Sequence, residues 1–138
     1  MKKAFTLLEV VIITVVIGIL ATFALPQYLK FKEKALDNEA KGYITTILSA
    51  EKIRKTETTS YYSFAAPTSQ SQVDTINDTL EIFLPASGGK WNYSAKTYTP
   101  SVSTDPQICV QAERNMATKR YWRMYDTDLD EPEEGQCS

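Results

Sequence analysis

The stretch "MKKAFTLLEVVIITVVIGILATFALPQY", residues 1–28, decides how the rest of the chain is read. Two lysines stand before an apolar run, and from Phe5 to Leu25 the sole charged side chain is Glu9. Wound as a helix, those residues rise about 32 Å, close to the ~30 Å of a bilayer's hydrocarbon. A carboxylate in mid-membrane costs about 2.5–3.5 kcal/mol on insertion scales, less near an end. A plain anchor has no use for it. A cleaved secretory signal fits poorly as well, since such signals are cut after the apolar core beside small residues. There the chain offers Ala24, crowded by Pro26.

Beyond Pro26 the sequence is polar enough to live in water. The chain's 138 residues suggest one domain, or one small domain with an appendage. Residues 30–57 hold seven Lys/Arg against five acids, and residues 58–138 hold six against eleven. That balance gives no general attraction to nucleic acid, and "KRYWR" at 119–123 would split its side chains between two faces of a strand. With no histidine, the commonest general base and metal ligand is missing. No nucleophile–base pair, phosphate loop or metal-ligand cluster is visible, so neither an enzyme nor a cofactor is expected.

Residues 5 to about 56 read as one long helix with two interruptions. Leu36, Ala40, Tyr43, Ile47 and Ala50 recur at helical spacing, broadened by Ile44, Leu48 and Ile53. Lys34, Glu39, Lys41, Glu51, Lys52 and Lys55 are assigned to the opposite, polar face. Gly18 and Pro26 are the weak points: glycine costs up to about 1 kcal/mol in a helix interior, and proline about 3 with the loss of a donor. A polar loop follows at 56–72, then a short amphipathic helix on Val73, Ile76 and Leu80, and a turn at "PASGGK", 85–90. Strands are expected at "KWNYSAKTYT", "QICVQAE" (107–113) and "RYWRMYD" (120–126), as an antiparallel meander covered by the apolar stripe of the long helix. The fold class is therefore α+β.

Cys109 and Cys137 lie far past the apolar segment. If that segment delivers them outside the cytoplasm they form a disulfide; otherwise they are two unrelated buried thiols. "YDTDLDEPEEGQC", 125–137, invites a calcium reading, but Glu131 and Cys137 stand where an EF-hand begun at Asp126 needs glycine and glutamate. An irregular site through Asp126, Asp128 and Asp130 stays open beside a solvated acidic loop spanning Asp126 to Glu134. Asn77-Asp78-Thr79 and Asn92-Tyr93-Ser94 fit the glycosylation pattern formally.

The opening stretch resembles the amino-terminal segment of type IV prepilins and of type II secretion pseudopilins. Lys2 and Lys3 match the basic leader, Phe5 the first mature residue, and Glu9 the glutamate four places on. The family carries glycine before the cut; Ala4 is the nearest small substitute, so cleavage between Ala4 and Phe5 is expected. The resemblance implies a leader at 1–4 and a transmembrane and filament-core half-helix at 5–28. It implies an amphipathic half-helix at 29–56 and a globular head at 57–138 with a loop, a sheet and a disulfide loop. It further implies a prepilin peptidase, N-methylation of Phe5, unwinding between Gly18 and Pro26, an inner-membrane assembly platform and a lipid-borne pool before assembly. Glu9 would then be a registry device, meeting the new Phe5 amine of a neighbouring copy, because a paired buried charge costs far less than a lone one. Lys2 and Lys3 agree with a cytoplasmic amino terminus, whereas Lys30, Lys32 and Lys34 oppose the charge rule. The function so implied is a structural subunit of an extracellular pilus, a homopolymer with no nucleic-acid partner. The alternatives are a pseudopilin, or a soluble binding domain released after Ala24.

Overall fold

A computed structural model describes residues 6–101, 103–116, 119–127 and 131–137. Ala4 and Phe5, with the cleavage and methylation expected there, lie outside the described residues, as do Asp128 and Asp130. The elements in chain order are α1 (Leu7–Thr58), α2 (Gln70–Leu80), β1 (Trp91–Tyr98), β2 (Gln107–Arg114), β3 (Tyr121–Tyr125) and β4 (Glu133–Glu134). The chain divides into two compact units, Met1–Asp37 and Asn38–Ser138.

In the first unit, α1 exposes nearly all its apolar side chains, from Leu7 to Phe31. By length and composition it can cross a membrane. The two expected interruptions do not break it: helix runs through both Gly18 and Pro26. Pro26 has no N–H, so it withholds the usual donor from the carbonyl of Thr22. The Thr22 hydroxyl in turn donates to the Gly18 carbonyl at 2.9 Å. One missing bond inside so long a helix does not end it here.

In the second unit, the end of α1 and the whole of α2 meet one face of a four-stranded antiparallel sheet of order β1-β2-β3-β4. The alternation written in β1 holds, with Trp91, Tyr93 and Ala95 buried. The register sets Ala95 beside Val110 and Val110 beside Met124, so all three point into one core. Ala40, Ile44, Ile47 and Leu48 supply the α1 side of it, and Val73, Ile76 and Leu80 the α2 side. The loop between the helices adds Phe64, whose backbone bridges Ala95 in both directions at 2.9 Å.

The polar face assigned to α1 needs two corrections. Glu51 is 0% exposed, and Ile53 is 61% exposed. At about 100° per residue, Ile53 lies opposite Ile44, while Glu51 falls between Ile44 and Ile47 on the core face. A carboxylate thus occupies a position that the helical angle assigns to the interior.

Candidate functional site

Three features of the chain carry its chemistry: the exposed apolar helix, the outer face of the sheet, and the buried carboxylate of the head. On the helix, Thr6 precedes the first turn, and its Oγ1 accepts the Glu9 N–H at 3.3 Å. Thr6 is the N-cap and Glu9 the third helical residue, the spacing of a capping box. A negative charge in the first turn also complements the helix dipole, worth about 0.3–1 kcal/mol at an exposed site. So Glu9 has a local reason to stand where it does. Its partner in the expected registry pair, Phe5, falls among the residues not described. Thr6 and Thr22, which support Glu9 and Gly18, went unremarked in the sequence; the T-x-x-E spacing was the signal for the first.

The outer sheet face is built by parity. Core positions Ile108, Val110 and Ala112 alternate with Cys109 and Gln111, and across the ladder Cys109 pairs with Tyr125 and Gln111 with Arg123. Cys109 and Cys137 form a disulfide with Cα atoms 5.9 Å apart, which closes the choice between disulfide and free thiols. The Cys137 N–H donates to Gln111 Oε1 at 2.9 Å, and Arg123 Nη1 donates to the Gln136 carbonyl at 2.9 Å. β4 pairs with β3, and Gly135 donates its N–H to the Tyr121 carbonyl. Gly135 sits at φ +155°, a conformation that favours glycine, and a Cβ there would also crowd the Arg123 side chain, at 3.1 Å from Nε. The acidic carboxy-terminal segment is therefore partly a fourth strand, which its sequence did not announce.

The basic side chains of "KRYWR" are engaged within the head. Lys119 pairs with Glu113, and Arg120 lies 3.9 Å from Glu134. Lys41, reaching from α1, stacks over the Trp122 ring at 4.4 Å and lies 3.7 Å from Glu131. Asp126, the first acid of the candidate calcium loop, accepts the Tyr61 hydroxyl at 2.6 Å. Burial and that carboxylate push the Tyr61 phenol up to about 12. Lys55 stacks over Tyr61 at 4.6 Å and bonds Asp105 at 2.9 Å, joining the end of α1 to the β1–β2 connection. Among the described residues no group of three or more His, Cys, Asp or Glu side chains is placed to hold a metal. Asn77 serves the fold: its side-chain oxygen accepts the Leu84 N–H, and its carbonyl accepts those of Glu81 and Ile82.

Glu51 is a fully buried carboxylate of the head. Its Oε2 accepts the Tyr62 N–H at 2.8 Å, while Oε1 is buried with no protein donor among the described residues. Desolvation drives its pKa from 4.5 up to about 7, against the opposing pull of that N–H and of Arg54.

No protein-family profile matches the chain, and no solved structure matches it. A stretch of 64 residues is 36% identical to the type IV major pilin protein PilA of Myxococcus xanthus (strain DK1622). The match takes in 46% of this chain and 29% of that relative, so the chain spans less than a third of the relative's length. Together with a long apolar helix and a four-stranded antiparallel sheet stapled by a disulfide, this similarity supports a relationship to the type IV pilins.

Proposed function

We propose that the chain is a structural subunit of a type IV pilus, polymerised through its amino-terminal helix. The observation that carries this reading is an apolar helix exposed from Leu7 to Phe31 whose one acid, Glu9, sits in the first turn. Such a surface cannot stay in water: apolar area costs roughly 25 cal/mol per Å² to expose. Lipid covers it before assembly, and neighbouring copies cover it afterwards. A prepilin peptidase removes residues 1–4 at the cytoplasmic face, cutting between Ala4 and Phe5, and Phe5 is N-methylated. The new amine of one copy then meets Glu9 of another, setting the stagger between them.

Segment 5–28 forms the membrane span and the later filament core, and 29–56 the amphipathic half that carries the head, 57–138. An assembly platform in the inner membrane draws subunits from the lipid-borne pool, held amino terminus inward, into an extracellular filament. Gly18 and Pro26 mark the segment that unwinds on entry to the core, where Pro26 already leaves the Thr22 carbonyl without an amide donor. The role is mechanical, with no catalytic step.

Electron microscopy of material sheared from cells making this chain tests the reading. Long filaments whose main component is this chain are expected, and they should vanish when the chain is deleted. Filaments that persist without it, or a chain found only as a soluble species, would overturn the proposal.

A further inference from the structure

The head bears a groove that neither the core nor the outer sheet face uses. It runs between the end of α1 and the turn after α2, lined by Ser49, Ile53 and Glu57 on one side and Glu81 and Ile82 on the other. The hollow is about 490 Å³, and a second of about 500 Å³ continues it past Ile82 to Phe83 and Asp78. Two large apolar side chains stand exposed along it, Ile53 at 61% and Phe83 at 81%. Glu57, Glu81, Asp74 and Asp78 make its walls acidic. Arg54 is the counter-charge there, and its guanidinium lies 5.6 Å over the Tyr62 ring.

The turn that shapes this surface is strained. Glu81 adopts φ 53°, a conformation that costs a non-glycine residue free energy. Asn77 pins the turn by accepting three backbone N–H groups. Held so, Glu81 and Phe83 face outward, where an apolar side chain gains nothing from the head itself.

The same chain carries the complement. On α1, Lys30 and Lys34 lie one turn apart and share a face with Phe31, and all three are exposed, Phe31 at 69%. These are two of the three lysines that oppose the charge rule for membrane orientation, and a cytoplasmic amino terminus leaves them unexplained.

We propose that the acidic groove of one copy docks the Lys30–Phe31–Lys34 helix face of a second copy. Phe31 enters against Ile53, Ile82 and Phe83, and the two lysines reach Glu57 and Glu81. Because the two surfaces differ, the contact is heterologous: a joined pair keeps one free groove and one free basic face, so the contact propagates into an open filament. The inference rests on the filament reading and adds the residues of one interface to it.

Zero-length carbodiimide crosslinking of filaments sheared from cells tests the contact, the cells being moved from light- to heavy-isotope medium during growth. The expected product is a peptide pair joining Lys30 or Lys34 to Glu57 or Glu81, with mixed-isotope forms present. Its yield should fall at least tenfold in Phe31→Ser, which leaves every crosslinking group in place, and drop markedly in 1 M salt, where exposed charges are screened within about 3 Å. Absence of these links, links confined to single-isotope pairs, or links at full yield in Phe31→Ser would overturn it. Filaments in cells without these crosslinks would leave the pilus reading standing and remove this interface. Cells that make the chain yet shed no filaments would remove the pilus reading, and this interface with it.

Discussion

The backbone N–H of Tyr62 donates to Glu51 Oε2 at 2.8 Å and ties the start of the α1–α2 loop to a carboxylate that is 0% exposed. The other oxygen, Oε1, has no protein donor among the described residues. A carboxyl satisfied on one side only favours its neutral form, which fits a pKa raised to about 7. The head therefore carries a titratable group whose charge opposes folding near neutrality.

The sign of the pH effect follows. Between 4.5 and about 7 the unfolded chain has lost the proton that the folded chain still holds, so stability falls as pH rises across that window and levels off above it. The loss is on the order of 3 kcal/mol. Glu51→Gln keeps an acceptor for Tyr62 and removes the charge. Thermal melts of the detergent-solubilised chain should show the variant more stable than the parent at pH 8 and nearly equal to it at pH 4.5. A parallel pH profile in the two proteins would contradict this.

The Cys109–Cys137 bond closes a loop with a sequence separation of 28. In the chain-entropy model such a closure contributes roughly 3–4 kcal/mol. Cys109→Ser/Cys137→Ser should lower the unfolding free energy in urea by about that amount. It should also speed amide exchange at Cys137 and Gly135, whose N–H groups bind Gln111 and Tyr121. An unchanged denaturation midpoint would show the staple to be dispensable.

Gly18 and Pro26 bracket Thr22, which donates its hydroxyl to one and lacks an amide donor from the other. Pro26→Ala should restore that donor and slow amide exchange over residues 18–26 at least tenfold, in line with the ~3 kcal/mol cost of proline in a helix. If unwinding there accompanies assembly, filament yield should drop as the segment stiffens. Equal exchange in both chains would mean the segment is not weakened by Pro26.

Glu9→Gln isolates the charge of that side chain, since glutamine also serves at the third position of a capping box. Membrane insertion should be unchanged and filament yield should fall severalfold or more. Normal filaments from this variant would remove the registry role.

Much of this architecture was legible from periodicity. Val73, Ile76 and Leu80 gave α2, and the alternation of Trp91, Tyr93 and Ala95 gave β1 with its inward face, because both patterns are set by burial against one partner. Two differences on α1 share a cause: helical angle, not residue type, decides which side chain is buried. Residue type alone assigns Ile53 to the stripe and Glu51 to the polar face, whereas their positions relative to Ile44 dictate the reverse. β4 is not legible because Gln111 and Cys109, which hold the segment after it, are distant in sequence, and because two glutamates have low strand preference. Of the candidate site, Cys109 and Cys137 were found and joined, whereas Thr6 and Thr22 show their roles only through hydrogen bonds that composition does not reveal.

The central claim is that this chain works as a processed subunit whose new amino terminus answers Glu9. Mass spectrometry of the amino-terminal peptide, from chain recovered in membranes and sheared filaments, tests it most directly. The account predicts a peptide that begins at N-methylated Phe5. A mature chain still carrying residues 1–4, or one beginning at Leu25, would contradict it.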